Sequence, residues 1–261
     1  MTNANSHFSI VIPAKNEEAF ITQTLLSIAE QTCVDSATPI FLCDAHSVDA
    51  TVALAQQVAA TYQLNLTIAA GGLPPAARNS GARLVKTPFV LFMDADVILG
   101  EPNTLAIVLE TAETQALDLV VTHIRPDQGN LMDRIFWRLF SVASRLKLGG
   151  PVATGSFMFM RMEAFRAAGG FDERMLLGDD IELARAIQPS RYAIAPTFVR
   201  TSMRRFHSYG YLRTFTEYLL AFLSKKRRLT DRKAYFAVDY TAQSDATLDN
   251  SPANHDKQTN Q

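Results

Sequence analysis

Short apolar runs alternate with segments of helical periodicity over the first hundred residues of the chain. Four runs have the length and composition of buried strands. They are Phe8 to Pro13, Pro39 to Cys43, Leu66 to Ala69 and Phe89 to Met93. Between them, apolar residues recur every three or four positions, which predicts amphipathic helices. Strands that alternate with helices in this way indicate βαβ units. We therefore predict an α/β fold with a single Rossmann-like, mostly parallel sheet flanked by helices.

The first predicted helix has a candidate start at Asn16, a residue type that often caps helices. Its apolar stripe is formed by Ile21, Leu25 and Ile28. Glu17 and Glu18 then fall in the first turn of this helix, where carboxylates interact favourably with the helix dipole.

Beyond Gly100 the pattern is less regular. A helix is predicted to open at Pro102, and a strong helical stripe with a basic opposite face runs from Leu131 to Leu146. Further strands are predicted at Leu117 to His123, Ser156 to Met160, Tyr192 to Ala195 and Thr197 to Val199. We predict one domain over residues 1–205, an amphipathic and basic helical extension over 206–238, and a disordered tail over 239–261.

Carboxylates follow two of the predicted strands directly. Asp44 comes after the second strand, and Asp94 and Asp96 come after the fourth. The carboxyl ends of parallel strands share one edge of a sheet, which is where open α/β sheets bind ligands. Carboxylate oxygens suit a hard divalent cation such as Mn²⁺ or Mg²⁺. A polar strand end followed by a turn is the alternative for an Asp-x-Asp sequence taken alone.

Composition narrows the class of protein. The 261 residues carry a formal net charge of −1, which argues against a nucleic-acid binder held by bulk electrostatics. The two cysteines, Cys33 and Cys43, are not preceded by a basic-then-apolar leader, so a cytoplasmic location is expected. No apolar run approaches the roughly 20 residues of a spanning helix.

Several separated motifs together resemble one family. They are IVIPAKNEE, CDAHSVDAT, AARNSGA, MDADV, GSFMFMR and GDDIEL, spread from Phe8 to Arg205. In this order and spacing they are similar to family 2 glycosyltransferases of the GT-A fold. The resemblance implies an inverting enzyme that moves a sugar from a nucleoside-diphosphate-sugar, UDP- or GDP-linked, to a hydroxyl acceptor. It also implies a divalent cation, Mn²⁺ or Mg²⁺, as cofactor.

The resemblance assigns roles at the donor site. Asp96 is expected to bind the metal, and Asp94 to contact the ribose or, through water, the metal. Arg78 is expected near the start of a helix, facing phosphate, with a surface arginine as the alternative. The residues expected to contact the nucleotide are Pro13, Ala14, Glu17, Asp44, Arg78 and Asp94.

Other roles concern the acceptor side of the reaction. Asp179 and Asp180 match the acidic pair of the family, with Asp180 as the candidate base, although which of the two is the base stays open. Gly155 and Ser156 match a segment that approaches the donor sugar or acceptor.

His207 is a candidate third metal ligand, and a surface or core histidine is the alternative.

Two features at the C-terminal side concern the number of sugars transferred and the class of acceptor. The Gln-x-x-Arg-Trp motif of processive synthases is missing, and Arg204-Arg205-Phe206 occupies its neighbourhood, which favours transfer of one sugar. Residues 211–229 combine an apolar stripe that ends at Phe222 with the basic residues 225–228, which suits docking at the inner face of a membrane beside a lipid acceptor. Packing on the domain or on a second copy in a homo-oligomer is the alternative.

Two other functions fit part of the pattern. In a haloacid-dehalogenase-like phosphatase, Asp94 would be the nucleophile and Asp96 the acid/base. In that family, however, the nucleophile strand opens the domain, whereas three strands precede it here. The second alternative is a non-catalytic nucleotide-sugar binding module.

Overall fold

The computed structural model describes residues 6–127, 132–133, 151–175, 178–204 and 210. Within these residues, eight strands form one sheet in the order β3-β2-β1-β4-β7-β6-β8-β5. The strands are β1 Phe8–Ala14, β2 Pro39–Asp44, β3 Asn65–Ala70, β4 Phe89–Met93, β5 Val97–Leu99, β6 Leu119–Pro126, β7 Phe157–Arg161 and β8 Tyr192–Thr201. The helices are α1 Ile21–Ala29, α2 Thr51–Tyr62, α3 Pro74–Ala82, α4 Thr104–Thr114, α5 Met162–Ala167 and α6 Asp179–Arg185, with a 3₁₀ turn at Pro189–Arg191.

The first four strands in chain order make the parallel part of the sheet. β1 pairs in parallel with both β2 and β4, and β2 pairs in parallel with β3. Each consecutive pair of these strands is joined through a helix, as the alternating pattern predicted. The loops that follow β1, β2 and β4 therefore open at the same edge of the sheet.

The second part of the sheet is mixed. β7 is antiparallel to β4 and to β6, β6 is parallel to β8, and β5 is antiparallel to β8. β8 is one continuous strand rather than the two short strands predicted on either side of Pro196. The β6–β8 ladder shifts register between Val121 and His123, at the level of Pro196. A proline lacks the ladder N–H, and a bulge accommodates it without ending the strand.

Apolar side chains bury both faces of the sheet. β1 alternates strictly, because Ile10 and Ile12 join the cluster that α1, α2 and α4 cover, whereas Val11 joins the cluster under α3, α5 and α6. α3 lies unusually close to the sheet at Gly81, where an added Cβ would stand 2.4 Å from the Val11 side chain. This close approach carries the polar residues of α3 toward the carboxyl edge of β4.

The prediction for the start of the first helix is wrong. α1 begins at Ile21, and Asn16 adopts a left-handed conformation with φ of 54° in the preceding loop. The cause is tertiary, since the backbone N–H groups of Glu17 and Glu18 bond to the side chains of Thr51 at the start of α2 and of Asp49 in the loop before it, instead of starting a helix.

Several predictions lie outside the described residues. They are the rest of the stripe from Leu131 to Leu146 apart from positions 132 and 133, His207, the tail over 239–261 and, except for Gly210, the extension over 206–238. None of the helices in the described part of the chain is long and apolar enough to cross a membrane.

Candidate active site

The loops after β1 and β2 are bonded into one unit, which we call the paired loops (residues 15–20 and 45–50). The Asn16 N–H donates to Ser47 Oγ at 2.9 Å, and the Val48 N–H donates to Asn16 Oδ1 at 3.0 Å. The Glu17 N–H donates to Thr51 Oγ1 at 2.7 Å, at the first residue of α2. These side chains replace water as partners of the loop backbone, so the rim of the site is built without regular secondary structure.

Three of the predicted nucleotide contacts lie beside the paired loops. Asp44 ends β2, and its carboxylate accepts hydrogen bonds from the Ser47 hydroxyl at 2.6 Å and backbone N–H at 3.1 Å. Pro13 and Ala14 end β1, and the Ala14 carbonyl accepts the Ala45 N–H at 2.9 Å. The structure therefore brings these residues to one end of neighbouring strands, as predicted.

Arg78 joins two carboxylates from distant parts of the chain. Its Nη2 donates to Asp94 Oδ1 at 2.7 Å and its Nη1 donates to Asp179 Oδ2 at 3.0 Å. The Arg78 side chain is 6% exposed, so the alternative of a surface arginine is wrong. We call this arrangement the Arg78 bridge.

The space around the guanidinium of Arg78 is closely filled. Its Cζ lies 5.4 Å from the centre of the Phe171 ring. A Cβ on Gly155 would stand 2.1 Å from Arg78 Nη2. The missing side chain at Gly155 therefore makes room for the arginine, a reason that the sequence motif did not reveal. Ser156 follows it and is half-buried just before β7.

Asp180 differs from its neighbour Asp179 in its partners. Asp180 Oδ2 accepts the Gly155 N–H at 2.6 Å, and its Oδ1 accepts the Ile181 N–H at 2.7 Å. Burial and the adjacent charge of Asp179 raise the pKa of Asp180 to about 7. Burial also raises the pKa of Asp179, against the opposing effect of Arg78. Asp180 as a whole residue is half-buried.

A second arginine joins another pair of carboxylates. Arg204 Nη2 lies 2.6 Å from Glu17 Oε1 and 3.5 Å from Asp96 Oδ2, and its Cζ lies 4.9 Å from the centre of the Phe20 ring. We call this arrangement the Arg204 bridge. Burial raises the pKa of Glu17 to about 7 even though Arg204 opposes the shift, and the charges of Asp96 and Asp94 add to it. The two bridges therefore lie within electrostatic reach of each other.

Comparison with known proteins identifies the family. A model of glycosyl transferase family 2 matches residues 9–169, which is more than half of the chain. The chain belongs to this family. The family match therefore excludes the haloacid-dehalogenase-like phosphatase as the class of this protein.

Two curated relatives of this family 2 glycosyltransferase are glucosyltransferases. Validoxylamine A glucosyltransferase of Streptomyces hygroscopicus subsp. limoneus is 33% identical over 109 residues, which cover 38% of this chain and 23% of the relative. Poly(ribitol-phosphate) beta-glucosyltransferase of Bacillus spizizenii is 32% identical over 96 residues, 35% of this chain and 15% of the relative. The matches thus span less than a quarter of either relative's own length.

Solved structures with the same fold include two transferases. A mannosyltransferase from Pyrobaculum calidifontis in complex with GDP-Man and Mn²⁺ has a TM-score of 0.66 at 22% identity, covering 82% of this chain and 62% of that one. TarS from S. aureus in complex with UDP has a TM-score of 0.59 at 18% identity, covering 77% and 62%. The family 2 chain therefore has the GT-A-like fold that the motifs predicted.

The carboxylates near Asp96 in the family 2 chain suit a divalent cation that is also held by substrate phosphates. Among the described residues, no three His, Cys, Asp or Glu side chains are grouped closely enough to hold a metal by themselves. Asp96 is nevertheless 15% exposed, and Glu17 Oε2 is a buried carboxylate oxygen that has no hydrogen-bond partner within the described part of the chain. Mg²⁺ is commonly held by one or two carboxylates together with substrate phosphates. The donor set at Asp96 fits such a shared site, whereas His207 lies outside the described residues.

Two residues of the site were not among the predicted site residues. Arg204 belongs to a basic doublet after the last strand, and Asn79 directly follows Arg78 in AARNSGA. Asn79 Nδ2 donates to the Phe171 carbonyl at 2.9 Å, and its Oδ1 accepts the Phe171 N–H at 3.0 Å. Asn79 thereby fixes the loop that leads toward Asp179. The sequence signals available were the Arg204-Arg205 doublet itself and, for Asn79, the AARNSGA motif that contains it.

Proposed function

We propose that this family 2 enzyme transfers one sugar from a nucleoside-diphosphate-sugar to a hydroxyl acceptor with inversion, and that it requires a divalent cation. The observation that carries the proposal is the gathering of Asp94, Asp96 and Asp180 on one side of the sheet, next to the buried Arg78 and the half-buried Arg204. Such a site combines cation ligands, positive charge for a diphosphate and a carboxylate that can accept a proton.

Asp96 is the proposed ligand of the divalent cation. When bound, the cation neutralises the charge that develops on the diphosphate leaving group. Arg78 holds Asp94 at 2.7 Å, which keeps this second carboxylate oriented toward the donor side. The nucleotide is UDP or GDP, in line with the UDP and GDP-Man complexes of two structural relatives. Pro13, Ala14 and Asp44 are proposed to contact it beside the paired loops.

Asp180 is the proposed general base. The acceptor oxygen attacks the anomeric carbon, the bond from that carbon to the diphosphate oxygen breaks, and the acceptor proton passes to Asp180. A single displacement of this kind inverts the configuration at the anomeric carbon. A base works best when its pKa lies near the working pH, and that of Asp180 is about 7. Asp179 is the poorer candidate, since its carboxylate is tied to Arg78 at 3.0 Å.

The donor and the cation are tested by thermal shift. We expect UDP or GDP to raise the Tm of the protein in the presence of Mn²⁺ and to do so much less without it. A Tm that neither nucleotide changes, with or without Mn²⁺, would contradict the proposal.

The chemical step is tested with Asp180→Asn. Loss of the base should lower the rate of transfer or donor hydrolysis by about 10² to 10⁴-fold while nucleotide affinity stays unchanged. The matched control is Asp172→Asn, because the half-buried Asp172 forms an ion pair with the nearby Arg174 at 2.7 Å. Equal rates in the two variants would exclude Asp180 as the base, whereas a wild type without turnover would favour a binding module.

The acceptor and the location remain proposals from sequence. Residues 211–229 and the basic residues 225–228 support a lipid acceptor and contact with the inner face of a membrane. Deletion after Gly210 should abolish co-sedimentation with anionic liposomes. Unchanged co-sedimentation would leave the helical segment as a packing or self-association element.

A further inference from the structure

The Arg204 bridge is unequal in its two contacts. The 2.6 Å distance from Arg204 Nη2 to Glu17 Oε1 is a short, charge-assisted hydrogen bond. The 3.5 Å distance from the same nitrogen to Asp96 Oδ2 is an ion pair beyond ordinary hydrogen-bond length. Glu17 therefore holds the guanidinium, whereas its contact with Asp96 is the weaker one.

The surroundings of Arg204 favour a small displacement within the site. Arg204 lies three residues after the end of β8, and its guanidinium contacts the Phe20 ring in the loop before α1. Glu17 Oε2 is buried and has no hydrogen-bond partner among the described residues. A guanidinium can satisfy both oxygens of one carboxylate with two parallel N–H groups. A shift of Arg204 away from Asp96 can thus be offset by a second hydrogen bond to Glu17.

We propose that Arg204 is an internal counter-ion that competes with the divalent cation for Asp96, and that Glu17 retains the arginine when the cation binds. This inference rests on the proposed function, because it takes Asp96 as the cation ligand. Without donor, the positive charge of Arg204 neutralises Asp96 and opposes entry of a second positive charge. A nucleoside diphosphate brings negative charge that offsets the positive charges of Arg204 and of the cation. The cation and the nucleotide therefore bind together rather than one by one.

The experiment measures Mn²⁺ affinity of the nucleotide-free protein from the electron paramagnetic resonance signal of free Mn²⁺. Arg204→Gln should bind Mn²⁺ about tenfold more tightly than the wild type, because a neighbouring positive charge is gone. Arg204→Lys, which keeps the charge, should stay close to the wild type. The matched control is Arg200→Gln on β8, where Arg200 pairs with Asp127 at 3.1 Å, and its affinity should not change.

One result would contradict the competition between Arg204 and Mn²⁺, and a different result would contradict the metal site at Asp96. If Asp96→Asn abolishes Mn²⁺ binding but Arg204→Gln binds no more tightly than the wild type, the competition is wrong and the proposed metal site stands. If Asp96→Asn leaves Mn²⁺ binding intact, the proposed metal site itself is wrong, and the competition with it. Arg204→Met, which keeps an aliphatic stem beside Phe20, takes the place of the glutamine variant if that variant does not fold.

Discussion

The Arg78 bridge and the Arg204 bridge use the same chemistry in different settings. Arg78 projects from helix α3, is 6% exposed, and reaches both of its carboxylates within 3.0 Å. Arg204 follows the last strand, is 17% exposed, and reaches only one of its carboxylates within hydrogen-bond distance. Burial and packing thus make the first arginine part of the framework, whereas the second keeps one contact that a ligand can replace.

The difference follows from what surrounds each guanidinium. Around Arg78, the backbone of Gly155 and the ring of Phe171 pack close to the guanidinium. Around Arg204, Glu17 retains an oxygen to which no group in the described ranges of the chain donates a hydrogen bond. Four substitutions or conditions test this contrast, beginning with the largest expected effect.

Arg78→Met should destabilise the fold most. It leaves Asp94 and Asp179 without their cation, and removal of one partner from a buried ion pair typically costs about 3–5 kcal/mol. Urea unfolding at pH 7 measures the loss. The control Arg191→Met removes an arginine that pairs with Asp118 at a more exposed position, so little change is expected. Equal losses in the two variants would contradict the framework role of Arg78.

The pH dependence of the rate should follow Asp180. Because its pKa is raised to about 7, the base is protonated below that pH and ionised above it. Turnover should therefore rise about tenfold per pH unit up to pH 7 and level off above it. Rates measured from pH 5 to 9 test this expectation, and a profile that is flat below pH 7 would argue for another base.

Gly155→Ala should act through Arg78. The new Cβ would stand 2.1 Å from Arg78 Nη2, and overpacking of a filled site typically costs about 1–3 kcal/mol. The same substitution in an Arg78→Met background should cost much less, because the clashing group is absent. A double-mutant cycle by urea unfolding measures this coupling, and simple additivity would show that Gly155 is required for another reason.

Arg204→Met should destabilise least, by about 1–2 kcal/mol at pH 8. Arg204 lowers the pKa of Glu17, which burial already raises to about 7, so without the arginine Glu17 takes up a proton more readily. Since Glu17 is protonated in both proteins below its folded pKa, the difference should shrink as the pH falls from 8 to 5.5. A loss of stability equal to that of Arg78→Met, or a loss that does not depend on pH, would contradict the proposed difference between the Arg78 bridge and the Arg204 bridge.

Much of the fold was predictable because its signals are local. Apolar runs bounded by polar loops identified β1, β2 and β4, and the shared edge of parallel strands brought Asp44 and Asp94 to one end of the sheet. Pro196 misled the prediction of β8, since the effect of its missing N–H depends on the register of a partner strand. Asn16 misled the prediction of α1 because its partners come from another loop.

The sequence predicted which acidic residues belong to the site, but it did not predict which arginines they pair with. Asp179 lies 101 positions from Arg78, and no sequence spacing shows that the two meet. Arg204 meets Glu17 over 187 positions, a contact that no local sequence pattern predicts. Likewise, Gly155 matched a motif, while its physical reason was the guanidinium packed against it. The roles assigned to all these residues stay predictions until they are measured.

The paired loops have a consequence for how the nucleotide edge opens. The amide hydrogens of Asn16 and Val48 are each bonded to a side chain of the other loop, and that of Glu17 is bonded to the side chain of Thr51 at the start of α2. Because all three bonds join the chain after β1 to the chain after β2, separation of the two segments would break them together. We expect these amides to exchange in deuterium oxide at a common rate, as one cooperative unit. The edge then meets its ligand already ordered, and little loop entropy is lost on binding.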